Sequence, residues 1–247
     1  MELSDFFREH PKAALGFSGG TDSAYLLHAG LAYGADIRPY YIKTAFQPDF
    51  ELADAKRLAK ELGAELEILE YDVLAHKEIA ANPANRCYYC KTALFSTLRR
   101  AAQADGYTLL LDGTNASDET SDRPGMKALS EMAVRSPLRE CGLTKTEIRK
   151  RSREAGLFTW NKPAYACLAT RIPAGEPLDR EILHRVEGAE NALFSMNFSD
   201  FRVRVCGGAA RLQVPASQLL RAAEEREEIR NVLKPFFDVV LLDLETR

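Results

Sequence analysis

The chain has 247 residues, 46% hydrophobic and 28% charged, a balance that excludes an intrinsically disordered protein and allows one large domain or a medium domain with a small one. Its formal net charge of -3 provides no broad basic surface, which counts against a nucleic-acid partner, because phosphate neutralisation supplies much of that affinity. No stretch nears the roughly 20 apolar residues that span a bilayer and no leader pattern opens the chain, so a cytoplasmic address without a membrane partner is expected. Five cysteines, an odd number, read as thiols or metal ligands and not as a disulfide framework.

In chain order, Ala13 to Phe17 reads as a buried strand running into a Gly-rich turn. Ala24, Leu27 and Leu31 then mark a helix that begins near Asp22. Ile37 to Ala45 is strand-like. Leu52, Ala55, Leu58 and Leu62 recur at helical spacing up to Gly63, and Leu66 to Tyr71 is a third strand. A helix from about Lys91 to Ala104 leads to a fourth apolar strand, Leu109 to Asp112. Alternation of this kind implies βαβ units around a parallel sheet, an α/β fold whose ligands lie beyond the C-terminal strand ends. The Ser18 loop and the segment Asp112-Gly113-Thr114-Asn115 both fall at that edge.

The prolines and glycine of Ile172 to Pro177 mark a boundary, so domains of 1–172 and 173–247 are expected. The second is read as a small α+β unit: a helix from Asp179 to Ser195, strands Phe201 to Val205 and Ala210 to Val214 about a Gly207-Gly208 turn, a helix from Ser217 to Leu233, and a last strand, Val239 to Leu244.

Strand, then Ser18-Gly19-Gly20-Thr21-Asp22-Ser23, then helix is an arrangement with a mechanical meaning. Two glycines allow close approach of the backbone to a ligand, and the first N–H groups of the helix point at it. Hydroxyls of Ser18, Thr21 and Ser23 add neutral donors, and Asp22 is a candidate ligand for Mg2+ beside phosphate oxygens. The loop lacks the spacing and lysine of a Walker loop and lacks G-x-G-x-x-G. A Gly-Gly turn before a helix is by itself common. The whole string in this position resembles the pyrophosphatase-loop (PP-loop) superfamily, whose members split ATP between the α- and β-phosphates to adenylate a substrate.

Cys87 and Cys90 form a CxxC pair, compatible with a redox couple, half a zinc site or part of an iron–sulfur site. Cys167 is a third candidate, and no histidine stands beside these cysteines to complete a zinc site. Cys141 and Cys206 read as small hydrophobes. The four histidines show no metal-like spacing. Arg202 and Arg204 alternate along a strand and so share a face, either to clamp a phosphate or simply to meet solvent. Lys91 is read as neutralising an adenylate or as capping the helix that starts there. Arg123 is read as reaching a leaving pyrophosphate or as a solvated turn residue, and Arg135 in the same two ways.

Taken together, S-G-G-T-D-S, N-P-A-N-R-C-Y-Y-C-K, D-G-T-N-A-S-D, D-R-P-G-M-K-A, V-R-S-P-L and C-L-A-T-R-I-P-A-G resemble the LarE family over nearly the whole chain. These are ATP-dependent sulfur transferases of nickel-pincer nucleotide biosynthesis. The resemblance implies adenylation of a carboxylate of pyridinium-3,5-biscarboxylic acid mononucleotide, followed by sulfur insertion. It implies ATP on Ser18 to Ser23 with Mg2+ at Asp22, and adenine near Lys43 and Gly113. Substrate contacts are expected at Thr170, Arg171, Glu190, Arg202 and Arg204, and self-association into a homo-oligomer is expected. One branch of the family sacrifices a cysteine; another carries a 4Fe-4S cluster on three cysteines. Cys87, Cys90 and Cys167 place this chain in the cluster branch, with Ala166 at the position of the sacrificial cysteine. A one-residue shift in that alignment would make Cys167 the sacrificial donor. Gln213 and Arg221 stand where the sacrificial branch has metal-binding carboxylates. The same loop and thiols also fit a tRNA thiolation enzyme; the loop alone fits an ammonia-using synthetase or a non-catalytic nucleotide-binding module.

Overall fold

The computed structural model describes residues 1–118 and 124–247. In chain order the elements are α1 (Leu3–Glu9), β1 (Lys12–Gly16), α2 (Thr21–Ala32), β2 (Asp36–Lys43), α3 (Asp49–Glu61), β3 (Glu67–Glu70), α4 (Lys77–Ala80), α5 (Arg86–Ala104) and β4 (Leu110–Leu111). They continue as α6 (Pro124–Glu131), α7 (Pro137–Glu140), α8 (Lys145–Glu154), α9 (Arg180–Ser195), β5 (Arg202–Cys206), β6 (Ala209–Gln213), α10 (Ala216–Glu224), α11 (Arg226–Leu233) and β7 (Val240–Leu242).

The chain forms two compact units, one of Met1–Val73 with Asn85–Lys162 and one of Leu74–Ala84 with Pro163–Arg247. The sequence suggested a single cut after residue 172. Instead the polypeptide leaves the first unit at Leu74, returns at Asn85 and leaves again at Pro163.

The first unit is built on a parallel sheet in the order β3-β2-β1-β4. Central β1 is buried on both faces, as parallel strands with helices on each side must be. Ala13 and Leu15 enter one core with Phe6, Phe7, Leu26, Leu27 and Tyr41. Ala14, pointing the other way, joins Tyr40, Leu98, Ala102 and Leu110. The fourth strand is shorter than its apolar run suggests. It is extended by a bridge in which Arg135 N–H donates to the Leu110 carbonyl and Asp112 N–H to the Arg135 carbonyl, each at 2.9 Å.

The second unit has a three-stranded sheet, β5-β6-β7. β5 and β6 are an antiparallel hairpin turning at Gly207-Gly208, and β6 and β7 run parallel across the α10–α11 crossover. The single helix expected over 217–233 is broken at Glu225. Residues 74–84 belong here because of Asn82, which is buried and left-handed at φ 52°. Its side-chain amide donates to the carbonyls of Pro173 at 2.8 Å and Glu176 at 3.1 Å, and its own carbonyl accepts from Gly175 N–H at 2.8 Å. Asn82→Ala removes these side-chain donations, with a longer one to the Ile172 carbonyl at 3.5 Å, and places there a residue less tolerant of positive φ. It should destabilise the second unit by about 2–4 kcal/mol, measurable by urea unfolding. A loss under about 0.5 kcal/mol would show that the clasp is dispensable.

Candidate functional site

The loop from Ser18 to Ser23 joins β1 to α2 at the C-terminal edge of the sheet. Gly19 turns it at φ 69°, and a β-carbon there would lie 3.0 Å from the Ala55 backbone nitrogen of α3. Only glycine meets both conditions. Ser18 N–H donates to Ser23 Oγ at 3.3 Å, the two hydroxyls lie 3.1 Å apart, and Gly20 N–H donates to Ser18 Oγ at 3.3 Å. The Thr21 hydroxyl faces inward, donating to the Thr159 carbonyl at 2.7 Å. Its side chain therefore holds the loop in place instead of facing the cavity.

A cavity of about 550 Å³ opens beside this loop, within the size range of small-ligand sites. Ser18, Gly20, Asp22 and Ser23 line one wall, Cys87 and Lys91 a second, and Asp112, Gly113, Thr114 and Asp118 a third. Gly113 lets these walls meet, since a β-carbon on it would stand 3.0 Å from Ser23 N. Asp112 is fully engaged: Oδ1 accepts from Ser136 Oγ at 2.6 Å and Oδ2 from Thr114 Oγ1 at 2.6 Å. Of the segment Asp112 to Asn115 singled out in the sequence, the first three residues line the cavity, and most of the polar atoms serve the turn.

Asp22 is different. Its Oδ2 accepts from Lys145 Nζ at 2.7 Å, whereas its buried Oδ1 has no hydrogen-bond donor among the described residues. Burial pushes the Asp22 carboxyl above the usual carboxylate range; the bond from Lys145 opposes this, and the charge of Asp118 adds to it. A buried carboxylate oxygen without a donor, in a polar cavity, suits a hard divalent cation.

Lys145 was missed in the sequence, because α8 was not anticipated. The signal was present in Thr144-Lys145-Thr146-Glu147: Thr144 Oγ1 accepts from Glu147 N–H at 3.3 Å, as a helix-capping threonine does.

Helix α5 begins at Arg86, one turn before Lys91, so Lys91 lies inside the helix and does not cap it. Cys87 and Cys90 consequently sit three residues apart on one helical face. Cys87 is exposed and lines the cavity; Cys90 is half-buried. The stem of Lys91 packs against α6, where a β-carbon on Gly125 would lie 3.0 Å from Lys91 Cδ. Arg123 lies outside the described residues. Lys43 is held by the Gln47 carbonyl at 2.6 Å and Asp49 at 2.7 Å. Near it, at the ends of β1 and β2, Gly16, Phe17, Tyr40, Ile42 and Phe95 line a second cavity of about 170 Å³.

The remaining expected residues, with Cys167, belong to the second unit. Arg171 and Glu190 are buried against each other: Arg171 Nε donates to Glu190 Oε1 at 2.8 Å and one terminal nitrogen to Oε2 at 3.1 Å. The other terminal nitrogen donates to the Ala166 carbonyl and Thr170 Oγ1, while Glu190 also accepts from Val203 N–H and the Tyr165 hydroxyl. Both were expected at substrate; the structure engages them with the protein, anchoring the segment that carries Cys167.

Arg202 and Arg204 do share a face. Arg202 donates to the carbonyls of Phe201 and Ala164 at 2.6 Å each, and Arg204 to the Thr170 carbonyl and Gln213 Oε1 at 3.1 Å each. Burial, with Arg171 and Arg247 nearby, lowers the Arg202 guanidinium to about 10, and burial with Arg171 and Arg211 lowers Arg204. Among the described residues neither forms a salt bridge with a carboxylate, although Glu190 acts on Arg202 and Asp243 on Arg204 at longer range.

No disulfide joins the five cysteines, and among the described residues no group of three or more His, Cys, Asp or Glu side chains is gathered to hold a metal ion. No helix among them is long and apolar enough to cross a membrane.

A glycine-turned loop and an undersatisfied carboxylate on one wall of a cavity at the strand ends, with a thiol on the next, define a candidate ligand site on an α/β fold. No family model matches the chain. It is 37% identical over 249 residues to an uncharacterised protein of Synechocystis sp. (98% of this chain, 92% of the relative), and 29% identical over 238 residues to an uncharacterised protein of Methanocaldococcus jannaschii (96% and 91%). It is 33% identical over 236 residues to the pyridinium-3,5-bisthiocarboxylic acid mononucleotide synthase of Lactiplantibacillus plantarum (94% and 86%), and the chain belongs to that synthase family.

Proposed function

We propose that the chain is an ATP-dependent sulfur transferase acting on pyridinium-3,5-biscarboxylic acid mononucleotide. The observation that carries this reading is the cavity shared by the Ser18–Ser23 loop, the donor-free Asp22 oxygen and the Cys87 thiol. The N–H groups at the start of α2 bind the β- and γ-phosphates, and the small cavity at Tyr40, Ile42 and Phe95 takes adenine. Asp22 Oδ1 would hold Mg2+, which would supply charge neutralisation at the phosphates. A substrate carboxylate oxygen bonds to the α-phosphorus, the bond to the β-phosphate oxygen breaks and pyrophosphate leaves. Lys91 balances the adenylate charge from the wall beside Cys87. Holding both reactants in one cavity provides much of the acceleration. Arg202 and Arg204, which form no salt bridge among the described residues, grip the phosphate of the mononucleotide.

The sulfur source is proposed as a 4Fe-4S cluster on Cys87, Cys90 and Cys167, which would supply sulfide. The support is donor chemistry alone: thiolates ligate such clusters, and Cys87 and Cys90 stand at i and i+3 on one helix face, whereas among the described residues no three metal-ligating side chains are gathered. Sulfur bonds to the activated carbonyl carbon and AMP departs with its oxygen.

The test is anaerobic purification with iron and acid-labile sulfide analysis, alongside pyrophosphate and AMP release from ATP and the biscarboxylate mononucleotide. Cys87→Ala, Cys90→Ala and Cys167→Ala should each abolish the iron and sulfide signal, and retention removes that residue from the ligand set. An iron-free protein that loses hydrogen sulfide mass at Cys167 during turnover would make Cys167 the sacrificed donor. Absence of pyrophosphate from the intact protein would refute the activation step.

A further inference from the structure

The Asp22–Lys145 contact has a feature that the activation chemistry leaves unexplained. Asp22 is the carboxylate best placed for a divalent cation, yet one of its oxygens is already taken by an ammonium group. Lys145 stands at the first position of α8, and its backbone is fixed: Lys145 N–H donates to Ser117 Oγ at 3.0 Å and Thr144 caps the helix. Its side chain is about one-third exposed, and Asp22 is its one ion-pair partner among the described residues. Arg149, the other nearby cation, donates to the carbonyls of Trp160 at 3.0 Å and Lys162 at 2.8 Å, which hold it in place. Of the two, Lys145 is the one able to swing away.

We infer that Lys145 is the resident counter-ion of Asp22, displaced when a divalent cation binds that carboxylate and thereby freed to pair with nucleotide phosphate oxygens. The inference rests on the nucleotide-activating reading above. The cavity walls carry Asp22, Asp112 and Asp118, so an incoming triphosphate meets like charge. The cation must bridge carboxylate and phosphate, and an ammonium on a flexible four-carbon stem is suited to crossing from one to the other. Binding of metal and nucleotide is then coupled through a single side chain: Lys145 opposes bare metal and favours metal–nucleotide.

That coupling predicts opposite changes in two affinities. Mn2+ alone, followed by electron paramagnetic resonance, should bind Lys145→Met at least about threefold more tightly than the parent chain, since an ion-pair competitor is gone. The Mg2+ complex of α,β-methylene-ATP, followed by calorimetry, should bind the same variant roughly 10- to 100-fold more weakly, the worth of a charged hydrogen bond. Lys145→Arg, which keeps the charge and the helix start, should return both affinities to within a few-fold of the parent. Misfolding would weaken both together, so weakening of both, or no change in either, overturns the inference. If the parent chain binds Mn2+ but no nucleotide analogue, the activation reading fails, while tighter Mn2+ binding by Lys145→Met still upholds the competition at Asp22.

Discussion

Glu190→Gln is expected to destabilise the second unit by about 3–5 kcal/mol, the usual result of removing one partner from a buried ion pair. Glutamine keeps an acceptor for Val203 N–H, but the Arg171 guanidinium is left charged in a site where neither member of the pair meets solvent. Arg202 lies close enough to feel that charge. Restoring neutrality with Arg171→Met in the same chain should recover part of the loss, because a buried charge is costlier than a missing hydrogen bond. Urea unfolding followed by circular dichroism measures both variants. Destabilisation of Glu190→Gln below about 1 kcal/mol would mean that Glu190 does not balance Arg171 and is available to a ligand, as the resemblance implied.

Asp22→Asn should reduce pyrophosphate release about 100- to 1,000-fold, the scale on which one preorganised charge contributes to a transition state. It should also stabilise the ligand-free chain at neutral pH. The folded state raises the Asp22 carboxyl above its ordinary 3.8, so ionised Asp22 strains the fold. Below the unfolded value the wild-type side chain is protonated in both states and the difference vanishes. As pH rises through the folded value, wild type loses stability and the variant does not. The gain in melting temperature of Asp22→Asn should therefore be absent near pH 3 and should grow as pH rises above the unfolded value. An activity loss without that pH-dependent gain would show that Asp22 acts catalytically but is not strained by burial. The opposite sign of the gain would remove the desolvation argument.

These two carboxylates look alike in the sequence and differ because of their surroundings. Among the described residues Asp22 has one partner and an idle oxygen, whereas Glu190 accepts four hydrogen bonds. Neither count follows from neighbours along the chain, since Lys145 is 123 positions from Asp22 and Arg171 is 19 from Glu190.

What the sequence determined by itself was local. The apolar run before Ser18, the paired glycines and the helical spacing after Asp22 specified strand, turn and helix, because each depends on residues within a turn or two of one another. The same holds for alternation of strand and helix, hence the parallel sheet, and for the shared face of Arg202 and Arg204. Tertiary structure decided the rest. It turned the Thr21 hydroxyl inward to Thr159 and buried Arg171 with Glu190. It brought Lys145 to Asp22, and Asn82 drew residues 74–84 into the second unit. Each of these is a contact between distant segments in which desolvation must be balanced by a specific partner, and the chain supplies that partner only once it is folded.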